Sequence, residues 1–158
     1  MQQPCRLPAY IDAVVQLHVE RTIGAPQERV FDWLADPAAL TKAPLVLSAK
    51  YAKASSGPAA GAVRNVTGAG MWFREEYTSY DSPGSYSYLI LRSFPAFNHD
   101  GGTLTFTPTA DGTHVDWVTA YTHPAWTGGK AFEAVSSRLL RWNFLAVLDG
   151  CAKALETT

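Results

Sequence analysis

Arg74 and Glu76 stand two positions apart in the run Met-Trp-Phe-Arg-Glu-Glu-Tyr-Thr-Ser-Tyr, residues 71–80. In an extended chain successive side chains point to opposite faces. Trp72, Arg74, Glu76 and Thr78 therefore share one face, and Phe73, Glu75 and Tyr77 share the other. Turned toward an apolar space, Arg74 and Glu76 would have to pair or neutralise, because an isolated buried charge is very costly. A carboxyl group held in such a space can act as a general acid or base, with a neighbouring cation polarising a carbonyl. Turned toward water, the same residues are a solvated charge ladder. Alternation does not choose between the two, since both faces carry rings and a glutamate.

The following strand-like runs add aromatic side chains. Tyr86, Tyr88, Ile90 and Arg92 share one face, so two phenols could meet a ligand carbonyl or could serve cross-strand packing. Val115, Trp117, Thr119 and Tyr121 share a face opposite His114, Asp116 and Val118. The aromatic face is expected inside, with Leu104 and Phe106 joining it. His99 is expected in a loop between Asn98 and Asp100. Five Trp and seven Tyr exceed what a minimal core needs. Rings with one polar handle suit the wall of a pocket, and also an ordinary core.

Several chemistries lack their residues. Gly68-Ala69-Gly70 has neither the third glycine nor the following helix of a dinucleotide site, and the Gly57–Gly61 loop lacks the Lys-Ser/Thr of a triphosphate loop. No Gly-x-Ser-x-Gly elbow occurs. His18, His99, His114 and His123 never fall at helical metal-ligand spacing. His114 and Asp116 share a strand face, but two ligands on a hairpin are weak support, and neither metal nor cofactor is expected. A net charge of −1 with no basic block argues against nucleic acid. Cys5 and Cys151 are expected to be free thiols. Met1 to Tyr10 lacks the apolar stretch of a signal peptide or anchor, so a cytoplasmic protein without a membrane span is expected.

These residues must be positioned by a recognisable order of elements. The alternation of Val15, Leu17 and Val19 against Gln16, His18 and Glu20 predicts a strand over 14–22. Pro26 opens a short helix carrying Val30, Phe31 and Leu34, and Asp36-Pro37 stops it and caps a second, through about Lys42. Strands are predicted over 45–53, 62–67, 71–80, 85–92, 103–108 and 113–122, with 94–102 as a loop. One long helix follows, from near Gly128 to about Glu156. Phe132, Val135, Leu139, Trp142 and Leu145 recur there at spacings of three or four, and Leu140, Phe144, Val147, Cys151 and Leu155 widen the stripe. The reading is an α+β domain over 13–158 behind a loose arm, 1–12. A seven-stranded antiparallel curved sheet would wrap around the long C-terminal helix.

The segments VERTIGAPQERVFDWLADPAAL, FREEYTSYDSPGSYSYLI and FPAFNHDGGTLTFTPTADGTHVDWVTAY carry a resemblance. They resemble polyketide cyclase/dehydrase-type proteins of the START-related, helix-grip (SRPBCC) superfamily, over about Leu17 to Glu156. The resemblance implies a pocket between sheet and last helix. Trp72, Arg74, Glu76, Tyr86, Tyr88, Phe106, Trp117 and Tyr121 would then face it, with Leu139 and Trp142 from the helix. It is this analogy that turns the even-numbered face of residues 71–80 inward. Members bind lipids, sterols, hormones or polyketides, and a minority are cyclases or dehydratases. The expected function is binding of a small, largely apolar molecule such as a lipid, an aromatic metabolite or a polyketide-like compound. The alternatives are a cofactor-independent cyclase or dehydratase with Glu76 as acid/base, assisted by Arg74 or Tyr86, and a protein-interaction module. The oligomeric state stays open.

Overall fold

A computed structural model describes residues 14–156. The 1–12 arm, Cys5 and the first residues of the chain lie outside the described residues. Seven strands, β1 (Val15–Ile23), β2 (Val46–Tyr51), β3 (Val63–Gly68), β4 (Met71–Asp81), β5 (Ser85–Phe94), β6 (Asn98–Thr109) and β7 (Gly112–Thr122), form one antiparallel sheet in the order β1-β7-β6-β5-β4-β3-β2. Helix α1 (Gln27–Ala35) and a 3-10 turn (Pro37–Lys42) follow β1, and the long helix α2 (Gly129–Glu156) closes the chain. This is the helix-grip arrangement.

Local chemistry explains the connections. Pro26 precedes the first helical residue, and α1 buries Val30, Phe31, Leu34 and Ala35. The Asp36 carboxylate accepts from the Ala38 N–H at 2.9 Å and starts the 3-10 turn. Phe31 sits edge-on to Tyr80, Tyr86 and Phe106, with centroids 5.2, 5.7 and 5.0 Å away. The C-terminal half of α2 completes this core with Val147, Leu148, Cys151, Ala152 and Leu155. The free thiol of Cys151 is buried there, and burial pushes its pKa up to about 12.

Irregular pairing bends the sheet and re-aims its side chains. Thr78 is an extra residue in β4, so Tyr77 and Tyr80 both turn inward. Leu91 is extra in β5, which turns Arg92 out of the face holding Tyr86, Tyr88 and Ile90. Residues 98–102, expected in a loop, belong instead to β6. His99 pairs with Tyr121 and Gly101 with Ala120, leaving Asp100 unmatched. Gly101, at φ 117°, supplies the backbone conformation this irregularity uses.

Candidate functional site

The N-terminal half of α2 stands off the sheet and leaves a cavity of about 260 Å³. Phe73, Tyr88, Ile90, Trp117 and Tyr121 line it from the sheet, and Phe97 from the β5–β6 connection. Phe132, Ser136, Leu139, Leu140, Asn143, Phe144 and Val147 line it from the helix. Trp72, Phe94 and Leu139 line it while 42%, 59% and 41% exposed, and so mark its mouth. Phe144 lies flat on Trp117, with ring centroids 4.0 Å apart.

Three polar groups interrupt this apolar wall. The first is a buried ion pair between Arg64 Nε on β3 and the Glu75 carboxylate on β4. Arg64 Nη1 also donates to the Tyr77 hydroxyl at 2.9 Å, and that hydroxyl donates to the Ala35 carbonyl at 2.6 Å. Burial pulls the Arg64 pKa down, but the facing Glu75 charge and the neighbouring phenols outweigh it and hold the guanidinium above its ordinary value. An arginine on an apolar face is tolerable only with its partner in place.

The second group centres on Tyr88. Its hydroxyl accepts from Trp117 Nε1 at 2.9 Å, and burial pushes its pKa up to about 12. His99 stacks on the Tyr88 ring, centroids 5.5 Å apart. His99 Nδ1 accepts from the Ile90 N–H at 3.0 Å, which assigns the proton to Nε2. Nε2 donates to Thr119 Oγ1 at 2.7 Å, and Thr119 donates to the Gly101 carbonyl at 3.3 Å. Burial lowers the His99 pKa to about 4, against an opposing push from Asp100, so the ring is neutral at pH 7.

The third group lies where β7 passes into α2. His123 Nδ1 faces the Ala96 carbonyl at 3.3 Å and therefore holds a proton. In the neutral ring Nε2 accepts from Ser136 Oγ at 2.8 Å, which in turn accepts from the Tyr121 hydroxyl at 3.0 Å. Glu133 Oε1 accepts from the His123 backbone N–H at 3.0 Å and fixes the entry of the helix. Asn143 does similar work one side along, its Oδ1 accepting from the Leu45 N–H at 3.1 Å. Among the described residues no buried side-chain nitrogen or oxygen lacks a partner.

The structure sorts the residues expected at the site. Trp72, Tyr88, Trp117, Tyr121 and Leu139 line the cavity. Arg74 and Glu76 do not: the odd-numbered face of β4 points inward, with Glu75 and Tyr77 buried and Arg74 exposed. The physical reason is the partner, because Arg64 on the neighbouring strand can neutralise Glu75. Tyr86 and Phe106 are buried against Phe31 beneath α1, away from the cavity. Tyr86 spends its hydroxyl on the Leu34 carbonyl at 3.0 Å. Trp142 is 53% exposed and lies on the far side of α2. Arg64, Ser136 and Asn143 were not singled out from the sequence, and Glu75 and His123 were named there without a role at the site. One signal for Arg64 was present, since it alternates in phase with Ala62 and Val66, both buried.

Residues 14–156 match the sequence family described as polyketide cyclase / dehydrase and lipid transport. Solved structures share the fold. The Thermus thermophilus protein TTHA0849 is 21% identical with a TM-score of 0.70, over 88% of this chain and 95% of that one. Chromobacterium violaceum CV1439 is 19% identical with a TM-score of 0.66, over 89% and 97%. Staphylococcus aureus SA2116, a protein of unknown function, is 10% identical with a TM-score of 0.66, over 89% and 95%. No curated protein sequence matches the chain. No helix among the described residues is long and apolar enough to cross a membrane.

Proposed function

Because the chain belongs to the polyketide cyclase / dehydrase and lipid transport family, we propose that it binds a small, largely apolar molecule in the cavity under α2. The candidates are a lipid, an aromatic metabolite or a polyketide-like compound bearing one or two oxygen atoms. The observation that carries this reading is a cavity of about 260 Å³ whose wall is mostly apolar, interrupted by a few polar groups that already have partners. An apolar guest that enters through the mouth takes this wall out of water, and a guest hydroxyl or carbonyl can meet Tyr88, Thr119 or Ser136. The test is native mass spectrometry of protein purified from its own host, followed by thermal denaturation of delipidated protein with a panel of hydrophobic ligands. A co-purifying small molecule and a raised melting temperature are expected. An empty protein that no ligand stabilises would end the reading.

One observation favours a second reading, a cofactor-independent dehydratase or cyclase. The Tyr121–Ser136–His123 chain places an imidazole Nε2 and two hydroxyls at the cavity wall. There His123, rather than Glu76, would exchange the proton. Conversion of a β-hydroxyketone probe to its enone with loss of water should then occur with wild type and vanish in His123→Ala. No turnover by wild type would remove this reading and leave the first untouched.

A further inference from the structure

The outer face of the β1–β7 pair carries a side-chain group that the cavity does not use. Two similar triplets, His18-Val19-Glu20 and His114-Val115-Asp116, meet there. The strands are antiparallel and Glu20 pairs directly with Asp116, so the two histidines flank that pair from opposite ends. Val19 and Val115 are buried, which turns all four polar side chains outward. Their nearest atoms form a closed ring. His18 Nε2 lies 2.9 Å from Asp116 Oδ1 and 3.8 Å from Glu20 Oε2. His114 Nε2 lies 3.2 Å from the same Glu20 oxygen and 3.7 Å from the same Asp116 oxygen.

Four donors held about 2.0–2.1 Å from a tetrahedral zinc ion are about 3.4 Å apart. The ligand atoms of His18, Glu20 and Asp116 already lie within 4.8 Å of one another, and His114 Nε2 joins them through its separations of 3.2 Å to Glu20 and 3.7 Å to Asp116. Two carboxylates directly opposite each other on neighbouring strands repel. A divalent cation between them removes the repulsion and uses both imidazole lone pairs. His114 is already aimed for this. Its Nδ1 lies 2.9 Å from Thr22 Oγ1, an outer partner that can hold the proton on Nδ1 and leave the Nε2 lone pair toward the ring. Two imidazoles with two carboxylates select zinc over magnesium or calcium, which prefer oxygen alone.

We propose that His18, Glu20, His114 and Asp116 form a zinc site on the outer face of the sheet that clips β1 to β7. The site is independent of the cavity and of any ligand there.

The test titrates the untagged, chelator-treated chain with Zn²⁺ by calorimetry at a pH where histidine is neutral, with Mg²⁺ as control. One zinc per chain is expected, with no uptake of Mg²⁺. Zinc should shift the NMR ring resonances of His18 and His114 and leave His99 and His123 unmoved. His18→Ala/His114→Ala should abolish this uptake. Thr22→Val, which keeps all four ligands, should weaken it by about tenfold or more. Uptake of equal affinity in wild type and the double-histidine variant would overturn the proposal, and so would no uptake by wild type. The second outcome would mean that these side chains form only a hydrogen-bonded His–carboxylate network.

Discussion

Trp117 on β7 donates its indole N–H to the Tyr88 hydroxyl on β5, across the intervening strand β6. The bond is possible because Tyr88 pairs with Gly102 of β6, and its ring lies where a Cβ on Gly102 would be. Gly102→Ala should therefore push the ring aside and break the bond. A buried donor left unpaired costs about 1–3 kcal/mol, and urea denaturation should read a loss of that size. In a Tyr88→Leu background the same alanine should cost far less, since the two residues are coupled. Equal losses in both backgrounds would contradict this geometry.

The Arg64–Glu75 pair should behave as a unit. Glu75→Leu strands a buried guanidinium and is expected to destabilise by about 3–5 kcal/mol. Arg64→Met combined with Glu75→Leu should recover most of that loss, because both desolvated charges are gone. Denaturant midpoints of the two variants decide the matter, and a double variant no more stable than Glu75→Leu alone would refute it.

His99 should give the protein an acid-sensitive segment. Its folded pKa is depressed to about 4 from 6.5, so between those values the unfolded chain binds more protons than the native one. Its contribution to stability is complete above 6.5 and is lost progressively as pH falls toward 4. Stability against pH should thus rise more steeply across this window in wild type than in His99→Gln. Identical slopes would place the imidazole in water rather than against Tyr88.

Filling the cavity should separate binding from folding. Ala43 is buried and lines the cavity, and Ala43→Leu projects three further carbons into it. The ligand-free variant is expected to melt at or above the wild-type temperature, while any ligand-induced rise seen in wild type disappears. A preserved ligand response would move the binding site elsewhere.

Element order and most boundaries were legible because strand alternation and the long terminal helix are local patterns. The direction of β4 was not, since each face carries a ring and a glutamate, and the deciding residue, Arg64, lies on the next strand. The extra residues Thr78 and Leu91 change the inward phase without any local mark. On α2 apolar residues occupy most of the circumference, so periodicity does not set which side is inward. The helix leaves Val135 and Trp142 exposed and buries Glu133, Ser136 and Asn143, whose polar atoms find partners in the loops and strands beneath. The outer His–carboxylate ring needed the β1–β7 pairing, which joins residues about ninety or more positions apart.

That pairing has a consequence for synthesis. Among the described residues β1 has a single strand neighbour, and it is the last strand of the sheet. A nascent chain emerging at about 5–20 residues per second carries its first strand unmatched for several seconds. During that interval Leu17, Val19 and Ile23, all buried in the folded chain, have no sheet to join.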